Sequence, residues 1–232
     1  MPPSLSRHHT EWRFLQLTGF ILLWLLLSPL FSDRWVMQAL IQLMLLNMVF
    51  VTLWANPQWQ RIKIAVIALW VASVVGSLLA YLPLPAQWQR LGRTAELATL
   101  IPVVATCAAG ILWFAFRSRR PTVDGLFATV AAYLLIAIAF AQAYLLLLHW
   151  DPDSFHLPVP ALERSIQSLN VDVIYFSLVT LATVGYGDIL PSSDLARTLA
   201  VIEAVVGQFY IAVLVAVFVG MYASRPQGSP EE

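Results

Sequence analysis

Thr183-Val184-Gly185-Tyr186-Gly187-Asp188 stands between a short apolar stretch, Val171 to Ala182, and a long one, Asp194 to Tyr222. An ordinary extended chain throws successive groups to alternate sides, so lining up its carbonyls requires some residues to leave the usual φ/ψ regions. Gly185 and Gly187 can do so at low cost. Rows of backbone carbonyls aimed at one axis can replace the hydration shell of a bare cation. The side chains of Val184 and Tyr186 then point away from that axis into surrounding protein, and Thr183 adds a hydroxyl at the inner end. A glycine-rich turn would use the same residues, and the flanking segments decide against it. Val171 to Ala182 makes about 18 Å of helix at 1.5 Å per residue, too short to cross a bilayer. A half-membrane helix of this kind points its carbonyl end at the membrane centre, where the partial negative charge favours a cation.

Taken with its surroundings, the hexamer resembles the filter of the tetrameric potassium channels that carry one pore loop per chain. The resemblance covers Leu126 to Tyr222: an outer helix, a pore helix at Tyr175-Phe176-Ser177-Leu178-Val179-Thr180-Leu181-Ala182, the filter, and an inner helix with Gly207 near its middle. It implies K+ passing along Thr183, Val184, Gly185, Tyr186 and Gly187, with the Tyr186-Gly187-Asp188 end outside. It also implies a homotetramer, because one chain supplies one of the four loops required.

Composition agrees with a membrane protein. The 232 residues are 59% hydrophobic and 11% charged, with mean hydropathy +0.76, more apolar surface than a soluble core could hide. Formal net charge is zero, which gives no reason to expect a nucleic-acid partner. Six stretches reach spanning length: Trp12 to Phe31, Trp35 to Ala55, Ile62 to Leu82, Thr94 to Phe116, Val123 to Trp150 and Asp194 to Tyr222. The expected fold is therefore all-α: six transmembrane helices plus a re-entrant pore helix and filter loop. Its parts are a polar cytoplasmic tail (1–11), a four-helix membrane domain (12–120), a pore domain (121–223) and a short C-terminal tail (224–232). The first span has no cleavage site after it and is read as a retained helix. The ten residues after Tyr222 are too few for a cytoplasmic ligand-binding domain.

Loop charges favour both termini in the cytoplasm of a cell inner membrane, with eight Lys and Arg inside against five outside. The first four helices carry little chemistry. Ala72, Gly76 and Ala80, with Ser73 and Ser77, form rows of small residues that permit close packing. Gln38, Gln42 and Asn47 can bond between helices, Cys107 reads as a buried thiol, and Trp12, Trp35, Trp59, Trp88 and Trp150 mark span ends. A voltage sensor would need several arginines inside the fourth span, and Thr94 to Phe116 has none. Arg93 and Arg117 flank it, and Arg117-Ser118-Arg119-Arg120 reads as an inner-leaflet anchor. Asn170 or Asp172 is expected to cap the pore helix and Asp194 the inner helix.

In the inner helix, Gly207 matches the family's hinge glycine; close packing beneath the filter is the structural alternative. Stepping by one turn places Ile211, Val215 and Val219 on the same face, which is expected to line a cavity that can close by dewetting. Glu203 is the one carboxylate inside an expected span away from its ends, so it is either bonded to a pore-helix hydroxyl such as Thr180 or Ser177 or in contact with the ion. Filter support falls to Tyr175, Phe176, Val179 and Asp188. Some family members have a glutamate at the position of Val179 that bonds the filter aspartate, and often two tryptophans where Tyr175 and Phe176 stand. Here the Tyr175 hydroxyl is expected to donate to Asp188, with Phe176 packing as a hydrophobe. The expected function is passive, potassium-selective transport without catalysis or a cofactor other than the permeant ion. A non-selective cation pore and a non-conducting scaffold or sensor stand as alternatives.

Overall fold

The computed structural model describes residues 13–30, 34–117, 122–159 and 166–223. The polar tails, Trp12, the basic run 118–120 and Arg164 lie outside these residues, as do the side chains of Trp35 and Val219. The chain runs α1 (Arg13–Leu27), α2 (Arg34–Ala55), α3 (Gln60–Tyr81), α4 (Ala86–Arg117), α5 (Val123–Trp150), β1 (Phe155–His156), α6 (Ile166–Leu181), β2 (Leu190–Pro191) and α7 (Asp194–Ala223), with a 3-10 turn at Ser28–Leu30.

Among the described residues five helices, α2 to α5 and α7, are long and apolar enough to cross a membrane. The expected first span is corrected: α1 has 15 residues, roughly 22 Å at 1.5 Å per residue against a hydrocarbon core of about 30 Å. Pro29 is the physical reason, since it lacks the N–H to continue the ladder and disfavours the α conformation of Ser28. The fourth helix starts earlier than expected, at Ala86, which brings Arg93 inside it. The helix expected to be a pore helix, α6, also starts earlier, at Ile166, so Asn170 and Asp172 lie within it and do not cap it. At the start of α7 the side chain that accepts a backbone N–H is that of Ser193, from Ala196 at 3.2 Å, with Asp194 in the first turn beside the positive helix end.

The core is shared between the peripheral helices and α5. Thr122 caps α5 by accepting from Gly125 N at 3.0 Å. α1 docks on the same end: Phe14 N donates to Asp124 Oδ1 at 3.1 Å and Thr18 Oγ1 to the Phe127 carbonyl at 2.9 Å. Between α3 and α4 the backbones nearly touch. A Cβ on Gly76 would sit 2.7 Å from Glu96 N, and one on Gly92 2.7 Å from the Gly76 carbonyl. The small-residue row of α3 thus serves its expected purpose, with Gly92 as its counterpart.

That close approach surrounds a polar cluster the sequence reading did not anticipate. Glu96, 2% exposed, accepts from Arg93 Nη1 at 2.9 Å and from Gln38 Nε2 at 2.7 Å. A buried acid of this kind is tolerated because both oxygens are bonded. Gln38 therefore makes its expected interhelical bond. The buried amide of Gln42 has no partner among the described residues, and Asn47 is exposed. Cys107 is buried and forms no disulfide.

Candidate functional site

α6 ends at Leu181, and the chain leaves it through two backbone bonds to its last turns, Thr183 N to the Thr180 carbonyl and Val184 N to the Val179 carbonyl, both 2.9 Å. From there the backbone alternates in hand. Thr183 has φ +57°, Gly185 +56° and Gly187 +79°, while Val184 and Tyr186 between them keep negative φ. Reversing the hand of every second residue cancels the side-to-side alternation of a strand, so successive carbonyls can face one way. The two glycines take this conformation freely. Thr183 does not: a β-branched residue at positive φ is a genuine outlier, held here by its neighbours.

The loop is supported from behind. Tyr175 Oη donates to Asp188 Oδ2 at 2.8 Å, and its ring stacks on that of Tyr186, with centroids 6.4 Å apart and planes 4° from parallel. Phe176 is buried and meets Tyr144 and Phe155 edge-on at 5.2 and 5.3 Å. Phe155 opens β1, whose antiparallel pairing with β2 (Phe155 with Pro191, His156 with Leu190) closes the segment after the loop against the one before α6. Ser192 N and Ser193 N both donate to the Ser154 carbonyl there. Val179 contributes its backbone carbonyl and, being apolar, no side-chain bond to Asp188.

Beneath the loop, α7 comes close to the end of α6 at Gly207. A Cβ on Gly207 would fall on the Leu181 carbonyl oxygen, so the close-packing role held open for this glycine is occupied. One turn above, Glu203 is fully buried between hydroxyls: Tyr144 Oη donates to Oε2 at 2.6 Å and Ser177 Oγ contacts Oε1. Ser177 Oγ also reaches the Ala137 carbonyl at 2.7 Å. Of the two roles open for Glu203, the described contacts are those of the hydroxyl partner, through Ser177 and not Thr180. One cluster thereby ties α5, α6 and α7 together.

Three residues of this site were missed in the sequence: Tyr144, Gln208 and Tyr210. Gln208 Nε2 donates to Thr183 Oγ1 at 3.1 Å, and the Tyr210 hydroxyl bonds the Thr129 carbonyl on α5. The signal for Tyr144 was a polar tip in an otherwise apolar span; for Gln208 it was an amide one residue past the helix-contact glycine. Ile211 and Val215 are exposed in the single chain, at 44% and 55%. Among the described residues no group of three or more His, Cys, Asp or Glu could hold a metal ion.

A family model described as "Ion channel" matches residues 130–224, beginning inside α5. The chain is 34% identical over 99 residues to Protein LctB of Bacillus caldotenax, covering 42% of this chain and 72% of that protein. It is 31% identical over 109 residues to Protein LctB of Geobacillus stearothermophilus, covering 45% and 78%. Over 58 residues it is 41% identical to two pore potassium channel b of Oryza sativa subsp. japonica, covering 25% of this chain and 16% of that protein. No solved structure matches significantly.

Proposed function

We propose that this chain, which belongs to the ion-channel family, forms a potassium-selective pore from four copies of itself. The observation that carries the reading is the alternation of backbone hand at Thr183, Gly185 and Gly187. A loop so shaped offers an ion a ladder of carbonyls, with the Thr183 hydroxyl as its lowest rung. One loop cannot enclose an ion. In the single chain the loop is exposed throughout, Tyr186 at 70%, and α7 exposes Val201, Val205, Phe209 and Val213 as well. Three further copies around one axis would cover these apolar faces and close the ladder.

The sequence Thr183-Val184-Gly185-Tyr186-Gly187 supports potassium as the ion, as does similarity to a relative named a potassium channel. Filter support is assigned to Tyr175, Phe176, Val179 and Asp188, and the cavity to the α7 face bearing Ile211, Val215 and Val219. The domain limits, with four helices before a pore domain at 121–223, and the placement of both termini in the cytoplasm of a cell inner membrane belong to the same proposal. The reaction is passive transport, with no bond made or broken.

A second reading is favoured by one observation: the matched family description names no ion, which fits a non-selective cation pore as well. Purified protein in liposomes separates the two, with K+ and Na+ gradients tested in turn. Potassium flux that is lost in Gly185→Asp supports the proposal. Equal K+ and Na+ fluxes establish the non-selective pore, and no flux under any gradient establishes a scaffold.

A further inference from the structure

Thr183 is held twice. Its backbone N–H is tied to the Thr180 carbonyl of the pore helix, and its hydroxyl accepts from Gln208 of α7. Neither tie is incidental to the fold. Gly207 sets the register of α7 against the Leu181 carbonyl, and that register puts the next residue, Gln208, level with the inner end of the loop. Gln208 is exposed in the single chain. A long, exposed side chain gives up rotamer freedom to stay on one partner, so the bond must return something for that ordering.

A hydroxyl has one hydrogen and two lone pairs. At Thr183 one lone pair is taken by the Gln208 amide, which fixes the Cβ–Oγ1 direction and leaves the second lone pair free to face a cation. Thr183 also carries the strained φ of +57°, and an unsecured side chain there would let the residue relax toward negative φ and turn its carbonyl away. Building on the proposed pore, we infer that Gln208 is a positioning residue for its innermost cation site: it aims the Thr183 hydroxyl at a dehydrated monovalent ion of potassium size. In a tetramer four such amides ring the inner mouth of the ladder. Each has a carboxamide oxygen to spare for the water shell of an ion about to enter.

The sign of the effect differs between substitutions. Gln208→Leu keeps the bulk but offers no donor, and Gln208→Asn is one methylene shorter and cannot span the gap; both free the hydroxyl. Gln208→Glu offers only acceptors, so Thr183 must donate to it, turning both lone pairs toward the axis beneath a new negative charge.

The experiment uses the full chain in liposomes and Ba2+, a divalent ion close to potassium in size, as the probe of the inner site. Block of K+ flux by Ba2+ is titrated for wild type, Gln208→Leu, Gln208→Asn, Gln208→Glu, Thr183→Val and the Thr183→Val/Gln208→Leu pair. Loss of the fixed bond in every chain should raise the half-blocking Ba2+ concentration about tenfold or more in Gln208→Leu and Gln208→Asn. Gln208→Glu should lower it. Because Gln208 acts through the hydroxyl, Gln208→Leu should change nothing further once Thr183→Val has removed it. Wild-type Ba2+ sensitivity in both Gln208→Leu and Gln208→Asn overturns the inference, and so does an effect of Gln208→Leu that persists undiminished in the Thr183→Val background. Absence of K+ flux in the wild type would instead overturn the pore itself, and that is read before any variant is compared.

Discussion

Replacing Glu203 by leucine should destabilise the protein, and replacing it by glutamine should not. Glu203, Tyr144 and Ser177 are each 0% exposed, so a polar group deprived of its partner finds no water. In Glu203→Leu the Tyr144 hydroxyl loses its acceptor and becomes an orphaned buried donor, at a cost of about 1–3 kcal/mol. Ser177 loses one contact but keeps the Ala137 carbonyl at 2.7 Å, so its share is smaller. Removal of a buried acid offsets part of this, since its burial was itself unfavourable. The net expectation is about 2 kcal/mol per chain, and at about 2–4 °C per kcal/mol the apparent melting temperature falls by roughly 4–8 °C. Glutamine fits the same hydrogen count: its carbonyl accepts from Tyr144, its N–H donates to Ser177 Oγ, and the single Ser177 hydrogen goes to Ala137. It should stay within about 1 kcal/mol of wild type. The nine tryptophans give a fluorescence signal for heating in detergent. If leucine melts at the wild-type temperature, the cluster contributes nothing; if glutamine falls as far as leucine, the negative charge and not the bonding pattern is what matters.

Tyr175→Phe removes the bond to Asp188 while keeping the ring on Tyr186, and in the proposed pore it should speed inactivation in single-channel or flux decay records; unchanged decay would reduce Tyr175 to packing. Gly207→Ala drives a methyl onto the Leu181 carbonyl and should cost about 1–3 kcal/mol or more, seen as lower assembly yield and melting temperature. Gly76→Ala meets backbone atoms of α4 at 2.7 and 2.8 Å and should lower stability by a similar ~1–3 kcal/mol while leaving ion selectivity unaltered. Opening should lack steep voltage dependence: of the two arginines that the earlier start brings into α4, Arg90 is exposed near its beginning and Arg93 is paired with Glu96 at 2.9 Å, and each freely moving charge would contribute about 2.3 kcal/mol per 100 mV. A planar-bilayer activation curve needing several gating charges per chain would contradict that.

What could be read from the sequence was what depends on local backbone chemistry. The two glycines and the apolar segments on either side of Thr183 to Asp188 forecast an unusual loop after a short helix, because φ preference and helix length are properties of a few adjacent residues. The Tyr175 to Asp188 bond could be named because its partners lie on either side of one loop. The partners of Glu203 were half legible: Ser177 lies on α6, which leads directly into the loop, whereas Tyr144 lies on α5 and is brought in by helix packing. The Arg93–Glu96–Gln38 cluster was not legible for a similar reason. Arg93 looked like a flanking charge only while the helix was thought to begin at Thr94, and Pro85 followed by a helix start at Ala86 moves it inside. The first span failed on one residue, Pro29, whose effect on the preceding turn outweighs the apolar run around it.

The bonds of α7 bear on where that helix could bend. Its upper half is held at four levels in succession: Glu203 to Tyr144 and Ser177, Gly207 against Leu181, Gln208 to Thr183, and Tyr210 to the Thr129 carbonyl with its ring 5.2 Å from Tyr133. Below Tyr210 the side chains from Ile211 to Val217 are exposed or partly exposed in the single chain. A bend at Gly207 would have to break the Gln208 and Tyr210 bonds and would lever the glycine off the Leu181 carbonyl. A bend below Tyr210 breaks none of them. Glycine at 207 is therefore explained by contact before flexibility is invoked, and any swing of the lower half of α7 would leave the Thr183 hydroxyl and its amide partner in place.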